Sequence, residues 1–267
     1  VAHIGFIEFH SESGGTKILE HVQRESLRLG YAKMRAPVDG SLWSSFRLAL
    51  HASDDPFFGE PHHPASYEGV FRQLGFTMLQ KNLSLEEALE TSPLSKFSTI
   101  RDALLLEGIV TSLISQAALI EHAPEIFALL KEGFPEADAM EHFDAQLFTY
   151  LMNAHTTDMT PHFFIARDNK RIVGFLYAYL DPWSRGVQRY VLKSIAVHKD
   201  MRNRGVGKAL FAHAFLVAKN TEATRLLFAL MREENAPIFA IAGQAKALYR
   251  EYAFYEYDST TSHHPHV

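Results

Sequence analysis

The sequence predicts an α+β protein built around a mixed sheet, and three observations carry that expectation. Hydrophobic residues make up 47% of the 267 residues and charged ones 21%, enough apolar mass for a substantial core. From Leu105 onward, alternating and helically spaced segments follow one another in the order β-α-α-β-β-β-α-β-α-β. One strand-to-helix step in that series, Leu192 to Leu210, carries a turn with two closely spaced glycines.

Taken in order, Ala2 to Phe9 alternates like a strand and ends at a Ser/Gly turn. Thr16 to Leu29 repeats apolar residues at helical spacing up to Gly30, and Tyr31 to Ala36 is a short strand stopped by Pro37. Ser53 to Pro64 is rich in Pro, Gly, Asp and His and reads as a surface loop; Ala65 to Leu74 is a helix closed by Gly75. Leu83 to Arg101 is polar, contains Pro93 and reads as a linker. Beyond it, Leu105 to Ile114 reads as a buried strand. Two helices follow, one with Pro124 in its first turn and one over Ala137 to Leu151. His162 to Arg167 and Arg171 to Leu180 form a hairpin around Asp168-Asn169-Lys170. Gln188 to His198 is a strand, Gly205 to Asn220 a helix and Arg225 to Met231 a strand. Gln244 to Tyr252 favours helix by composition, and Phe254 to Tyr257 closes the sheet.

Composition narrows the function. Lys plus Arg total 26 against 31 Asp plus Glu, a net charge of −5, which argues against a nucleic-acid coat or a polybasic membrane binder. The absence of cysteine excludes disulfides, thiolate metal sites and thiol nucleophiles, and fits a cytoplasmic setting. The most apolar stretch, Ala209 to Ala218, is far shorter than the roughly 20 residues that span a bilayer. The first residues lack the basic start and cleavage site of a signal peptide. His62-His63 and the tail His263-His264-Pro265-His266 lack helical ligand spacing and nearby carboxylates, so no metal site is expected. Trp43, Phe46, Phe57 and Phe58 read as core rather than as an acceptor pocket.

The chemistry sits in the run SIAVHKDMRNRGVGKAL, Ser194 to Leu210. A strand enters a loop with Arg202, then Gly205 and Gly207, then a helix. Glycines there let the main chain approach a ligand, and the unpaired first-turn amides can hold a pyrophosphate with help from the helix dipole. Arg204 and Lys208 add positive charge. A nucleotide P-loop does not fit, because Ala209 follows Gly207-Lys208 where Ser or Thr is needed. A dinucleotide fingerprint does not fit either, because Arg202 replaces its first glycine. A plain glycine-rich turn before an ordinary helix remains open on the loop alone.

Arg202-x-x-Gly205-x-Gly207, preceded by its strand and a hairpin, resembles the acetyl-CoA-binding motif of the GNAT acyltransferase superfamily, and the element order from Leu105 to Asp258 is similar to that family's domain. The resemblance implies a mixed, mostly antiparallel sheet flanked by helices, and an N-acyltransferase that moves an acetyl or short acyl group from acetyl-CoA to an amine. It also implies that Ile195 and Val197 contact the pantetheine arm. Arg202, Asn203, Arg204, Gly205, Val206, Gly207 and Lys208 then cup the pyrophosphate, with Asn235 near the acyl group. The acceptor would be a small-molecule or peptide amine, with no nucleic-acid or membrane partner.

Residues 1–93 resemble only the back half of the same family: VAHIGFIEFH is similar to its motif strand, and Pro56 to Phe76 to its last helix. Ser11 stands where Arg would be, Thr16 where the last Gly would be, and Glu12 adds negative charge. The expected organisation is thus a partial, degenerate copy (1–93) before an acyl-CoA-binding domain (94–267). CoA would bind in the second alone, and a fragment from about Leu94 would keep that affinity if it folds.

Catalytic groups are less defined. Family members place a Glu on the motif strand as base, but Tyr190-Val191-Leu192-Lys193-Ser194 holds no carboxylate, so the general base is unassigned. The family's acid is a tyrosine on the last helix. Ala247 to Phe254 resembles its LY-x-x-x-GF ending and makes Tyr249 the acid, against the alternative of a packing tyrosine. Two rivals stand beside the enzyme: a non-catalytic acyl-CoA-binding protein, and an interaction module whose partial domain offers a homodimer surface.

Overall fold

In a computed structural model, residues 1–39, 45–50, 55–133, 146, 148–149, 159–242 and 247–261 are described. The chain divides into two units, Val1–Leu83 with Arg250–Val267, and Ser84–Tyr249.

The first unit opens with β1 (Ala2–His3), α1 (Glu12–Arg28) and β2 (Lys33–Ala36). Short strands β3 (Val38–Asp39), β4 (Ser45–Phe46) and β5 (Leu48–Ala49) follow, then α2 (Ser66–Gln73) and β6 (Thr77–Ala88). The strand expected over Ala2 to Phe9 is laddered only at Ala2 and His3, parallel to Met34 and Arg35. Phe6 takes φ +53, which no strand accommodates. The helix expected from Thr16 starts earlier, because the Ser11 hydroxyl accepts the Gly14 N–H at 3.2 Å and caps it. Leu19, Met34, Val70 and Phe71 fill this unit's core, and Phe57 is also buried; Trp43 lies outside the described residues.

The second unit contains α3 (Ser98–Leu106), β7 (Ile109–Ile114), α4 (Gln116–Glu121), α5 (Ala123–Gly133), β8 (Pro161–Asp168) and β9 (Arg171–Leu180). It continues with β10 (Arg189–Val197), α6 (Val206–Ala218), β11 (Arg225–Arg232), α7 (Ala236–Ala242) and the start of β12 (Ala247–Asp258). Its strand order is β6-β11-β10-β9-β8-β7. The β7–β8, β8–β9 and β9–β10 pairs are antiparallel and β10–β11 is parallel, the mixed, mostly antiparallel sheet that was expected. The β8–β9 hairpin turns at Asn169 with φ +54. Helix α6 sets Leu210, Phe211 and Ala214 into one cluster with Leu176, Tyr190, Leu192 and Phe228.

Four sequence readings are corrected. The polar stretch after Leu83 begins inside a strand, since β6 runs from Thr77 to Ala88 and inserts Asn82, Ser84 and Glu87 as buried polar residues. Leu105 to Ile114 is not one strand. Leu105 and Leu106 end α3, Gly108 turns at φ +84, and β7 begins at Ile109. The helix read over Gln244 to Tyr252 is a strand from Ala247 onward, and Tyr249 lies on it. The division of the chain differs from 1–93 and 94–267 because β12 returns to the first unit. There it pairs antiparallel with β2, Tyr255 opposite Ala36 and Tyr257 opposite Met34, and with β5. The helix read over Ala137 to Leu151 lies outside the described residues except for Gln146, Phe148 and Thr149, which are helical, and the histidine tail lies outside them entirely. Among the described residues no helix is long and apolar enough to cross a membrane.

A buried ion pair ties the β9–β10 connection. Asp181 Oδ2 accepts from Arg189 Nε and Nη2, both at 3.0 Å, with the two side chains 0% and 2% exposed. The same carboxylate accepts the Trp183 N–H and the Ser184 hydroxyl, so its lone pairs are satisfied. Removing the acid leaves a buried cation. Asp181→Ala should cost about 3–5 kcal/mol, read as a lower thermal midpoint; an unchanged midpoint would show the pair to be dispensable. A fragment beginning at Leu94 loses β6 beside β11 and strips β12 of its β2 partner. It should be insoluble or lack cooperative unfolding, and a monodisperse fragment with a sharp thermal transition would contradict this.

Candidate functional site

The site begins where two parallel strands part. Strands β10 and β11 pair from Arg189 opposite Arg225 to Leu192 opposite Phe228, and β10 then runs five residues further to Val197. Both strands change course immediately after the last pair. On β10, Leu192 faces Ala178 and Ser194 faces Tyr177, so Lys193 is an extra residue and forms a bulge. On β11, Leu230 takes φ +59. A bulky residue in that region costs about 1–3 kcal/mol and persists only where its surroundings hold it.

The hydrogen-bond phase of β10 fixes which amides face the gap. His198 donates its N–H to the Val173 carbonyl at 2.9 Å. By two-residue alternation Ala196 and Ser194 also bond β9, which turns the main-chain groups of Ile195 and Val197 toward the open side. The Val197 carbonyl confirms that phase, since it accepts from Arg202 Nε at 3.2 Å. The main-chain groups of Ile195 and Val197 thus lie on the side of β10 away from β9.

The loop after β10 completes the cradle. Asn203 and Gly205 take φ +62 and +91, and Gly205 caps α6 without any side-chain bond. The first helical bond runs from Ala209 N–H to the Gly205 carbonyl, so the amides of Val206, Gly207 and Lys208 precede the ladder. Gly205 is required, because a side chain would sit at positive φ and its Cβ 2.7 Å from Ile100 Cγ2. Gly207 is different: its added Cβ would lie 3.7 Å from Ile195 and Val197, an ordinary contact on the cleft side.

The loop's cations are directed elsewhere. Arg204 Nη2 meets Glu107 at 2.8 Å, Lys208 Nζ lies 5.5 Å from the Phe97 ring centre, and Arg202 bonds the Val197 carbonyl. At this loop the main-chain amides and the helix dipole thus stand beside cations that already have partners.

The remaining predicted residues make hydrogen bonds of their own. Asn235 Oδ1 accepts the Ile238 N–H at 3.3 Å and opens α7. The Tyr249 hydroxyl accepts from Arg189 Nη1 at 3.0 Å, beside the start of β10. Arg189 precedes Leu192 by three residues, about 10 Å along a strand. Sequence reasoning missed a dyad nearer the gap. His162, Ala178, Leu192 and Phe228 form one row across β8, β9, β10 and β11. His162 Nδ1 lies 2.8 Å from the hydroxyl of fully buried Tyr190. Burial pushes the His162 pKa down and that of Tyr190 well up, so both are uncharged at neutral pH. His162 also lines a cavity of about 330 Å³ with Leu113, Gln116, Met159 and Phe163. Its place in a strand offered no sequence signal beyond a lone histidine.

The corresponding step in the first unit is closed. Gly14 and Gly15 lie inside α1 rather than in a loop. A Cβ on Gly15 would strike the Phe9 ring at 2.6 Å, and Tyr67 stacks on Phe9 with ring centres 3.8 Å apart. The Tyr67 hydroxyl takes the Phe9 N–H at 2.9 Å, filling the main-chain position a ligand would use.

Residues 123–241, from α5 to α7, match the model of the acetyltransferase (GNAT) family. No curated protein sequence matches the chain. Among solved structures, a tandem GNAT protein from the clavulanic acid biosynthesis pathway aligns with TM-score 0.57 and 11% identity over 93% of this chain and 70% of its own. A GCN5-related N-acetyltransferase from Sphaerobacter thermophilus aligns with TM-score 0.57 and 11% identity over 92% and 67%. A GCN5-related glucosamine N-acetyltransferase region of a fungal multi-domain GH3 β-N-acetylglucosaminidase aligns with TM-score 0.58 and 17% identity over 91% and 27%. At these identities the alignments establish the fold. The family match makes residues 123–241 a domain of the GNAT acetyltransferase family, and the alignments give the chain the fold of tandem GNAT proteins, with a partial copy of that fold before the family domain.

Proposed function

We propose that the chain is an N-acyltransferase that takes the acyl group of acetyl-CoA to a small-molecule or peptide amine, with binding confined to the β10–β11 gap. The observation that carries this reading is the convergence of two amide sets. The amides of Ile195 and Val197 face the gap. Those of Val206, Gly207 and Lys208 are aimed from the α6 N-terminus. Bound acetyl-CoA would supply the activated thioester. The protein's residues would do the rest: the α6 amides and dipole hold the pyrophosphate, and the β10 edge aligns the extended arm like an added strand. Attack by the amine forms the C–N bond, the C–S bond breaks, and the amine's proton leaves to solvent or a nearby base as the thiolate departs.

The cavity beside His162 suits the acceptor. Of the row across the sheet His162 alone lines it, and a neutral imidazole neither repels an ammonium group nor holds the proton an amine must lose. Tyr249 as the acid is carried only by the family resemblance; its hydroxyl accepts from Arg189 Nη1 at 3.0 Å.

Gly207→Glu tests the pyrophosphate assignment. The position tolerates a Cβ, so the fold should survive, while a carboxylate enters the space where amides must meet phosphate. Charge-assisted hydrogen bonds are worth ~1.5–3 kcal/mol, and a like charge in the same space turns that attraction into repulsion, so acetyl-CoA affinity should fall at least about a hundredfold by calorimetry. Wild-type affinity in a folded variant would reduce the loop to a turn. His162→Ala should raise KM for the amine about tenfold, the value of one hydrogen bond, and leave the acetyl-CoA Kd unchanged. A loss of acetyl-CoA affinity instead would place His162 on the other substrate.

A further inference from the structure

The gap between β10 and β11 is shaped by a residue outside the segment that matches the family. Leu230, two residues past the last paired residue Phe228, holds φ +59 and donates its N–H to the Ser84 hydroxyl at 3.0 Å. Ser84 is fully buried on β6, the neighbour of β11 on the side away from β10, and it precedes residues 123–241. A second bond pins the same strand at the other end of β11, from the Leu89 N–H to the Thr224 carbonyl at 2.9 Å.

We propose that Ser84 is a positioning residue for the acyl-CoA gap: its hydroxyl draws the main chain of β11 toward β6 at Leu230, and this keeps β11 from resuming its ladder with β10. The inference rests on the reading of the gap as the acyl-CoA site. A parallel ladder extends unless something interrupts it, since each further residue would satisfy main-chain donors and acceptors. The bulge at Lys193 interrupts β10, but a bulge in one strand shifts register without forcing separation. The turned backbone at Leu230 supplies the other half, and a leucine at positive φ needs an external hold. Ser84 provides a buried acceptor at that N–H.

The full-length chain decides the matter by acetyl-CoA calorimetry. Wild type should bind, and absence of binding would overturn the acyl-CoA reading itself. Ser84→Ala should weaken acetyl-CoA about tenfold or more, a change of 1.4 kcal/mol, while Ser84→Thr, which keeps the hydroxyl, restores it. Ser84→Ala combined with Leu230→Gly should also recover affinity, because glycine takes a positive φ without a hold. Ser92→Ala removes another buried hydroxyl of the same region, one bonded to Glu87, and should leave affinity unchanged. Wild-type affinity in Ser84→Ala, or equal losses in Ser84→Ala and Ser92→Ala, would overturn the assignment and leave the acyl-CoA reading standing. Should Ser84→Ala fail to fold, Ser84→Cys, a nearly isosteric but weaker acceptor, should bind acetyl-CoA less tightly, and unchanged affinity there would overturn the proposal equally.

Discussion

The open edge of β10 depends on a parallel strand pair kept short. Four paired positions, Arg189 to Leu192 against Arg225 to Phe228, hold β10 and β11 together before a bulge and a left-handed residue separate them. An uninterrupted ladder would consume the amides of Ile195 and Val197 in the sheet. Once parted, the strand presents main-chain donors that water or a ligand must satisfy. The helix that connects the two strands delivers its own unladdered amides at the far end of the same gap. Neither set needs a charged side chain. That agrees with the engagement of Arg204 by Glu107 and of Arg202 by a carbonyl. On the proposed reading, a chain of net charge −5 would bind a strongly anionic ligand through a local field set by oriented amides rather than by its overall charge.

The acceptor side follows a different logic. Tyr190 and His162 are buried enough to remain neutral, and His162 lines a cavity with Leu113, Ile114, Met159 and Phe163. An amine entering such a place loses hydration of its ammonium form, and desolvation favours the neutral, nucleophilic form. Part of the work usually given to a strand carboxylate can thus be done by the environment, consistent with the lack of any acid between Tyr190 and Ser194.

Much of this architecture was legible in the sequence because it rests on strong local rules. The hairpin around Asn169 and the turn at Gly205 both need positive φ, and the residues at those positions announce it. The pattern failed where tertiary contacts override local preference. Strand β6 reads as polar because its inward residues include Asn82, Ser84 and Glu87, whose burial depends on partners distant in sequence. Strand β12 buries four consecutive residues, Tyr252 to Tyr255, which removes the two-residue alternation and leaves a composition that favours helix. Leu230 gave no signal at all, since leucine is the wrong residue for its backbone. Its place beside the gap fits the general association of strain with functional sites.

The partial copy shows how the same strand–turn–helix step is shut. Moving the helix start forward to Glu12 places Gly14 and Gly15 inside α1, where their freedom at the backbone has no use. The Ser11 hydroxyl then satisfies a first-turn amide that a phosphate would otherwise meet, and Glu12 opposes an anion at the same end. Phe9 and Tyr67 close what space remains, with the Tyr67 hydroxyl bonded to the Phe9 N–H. Each substitution replaces a ligand interaction by an internal one of the same kind: a side-chain oxygen for a phosphate oxygen, a phenol for an extended arm. A closed copy of this sort gains stability by the contacts that cost it binding.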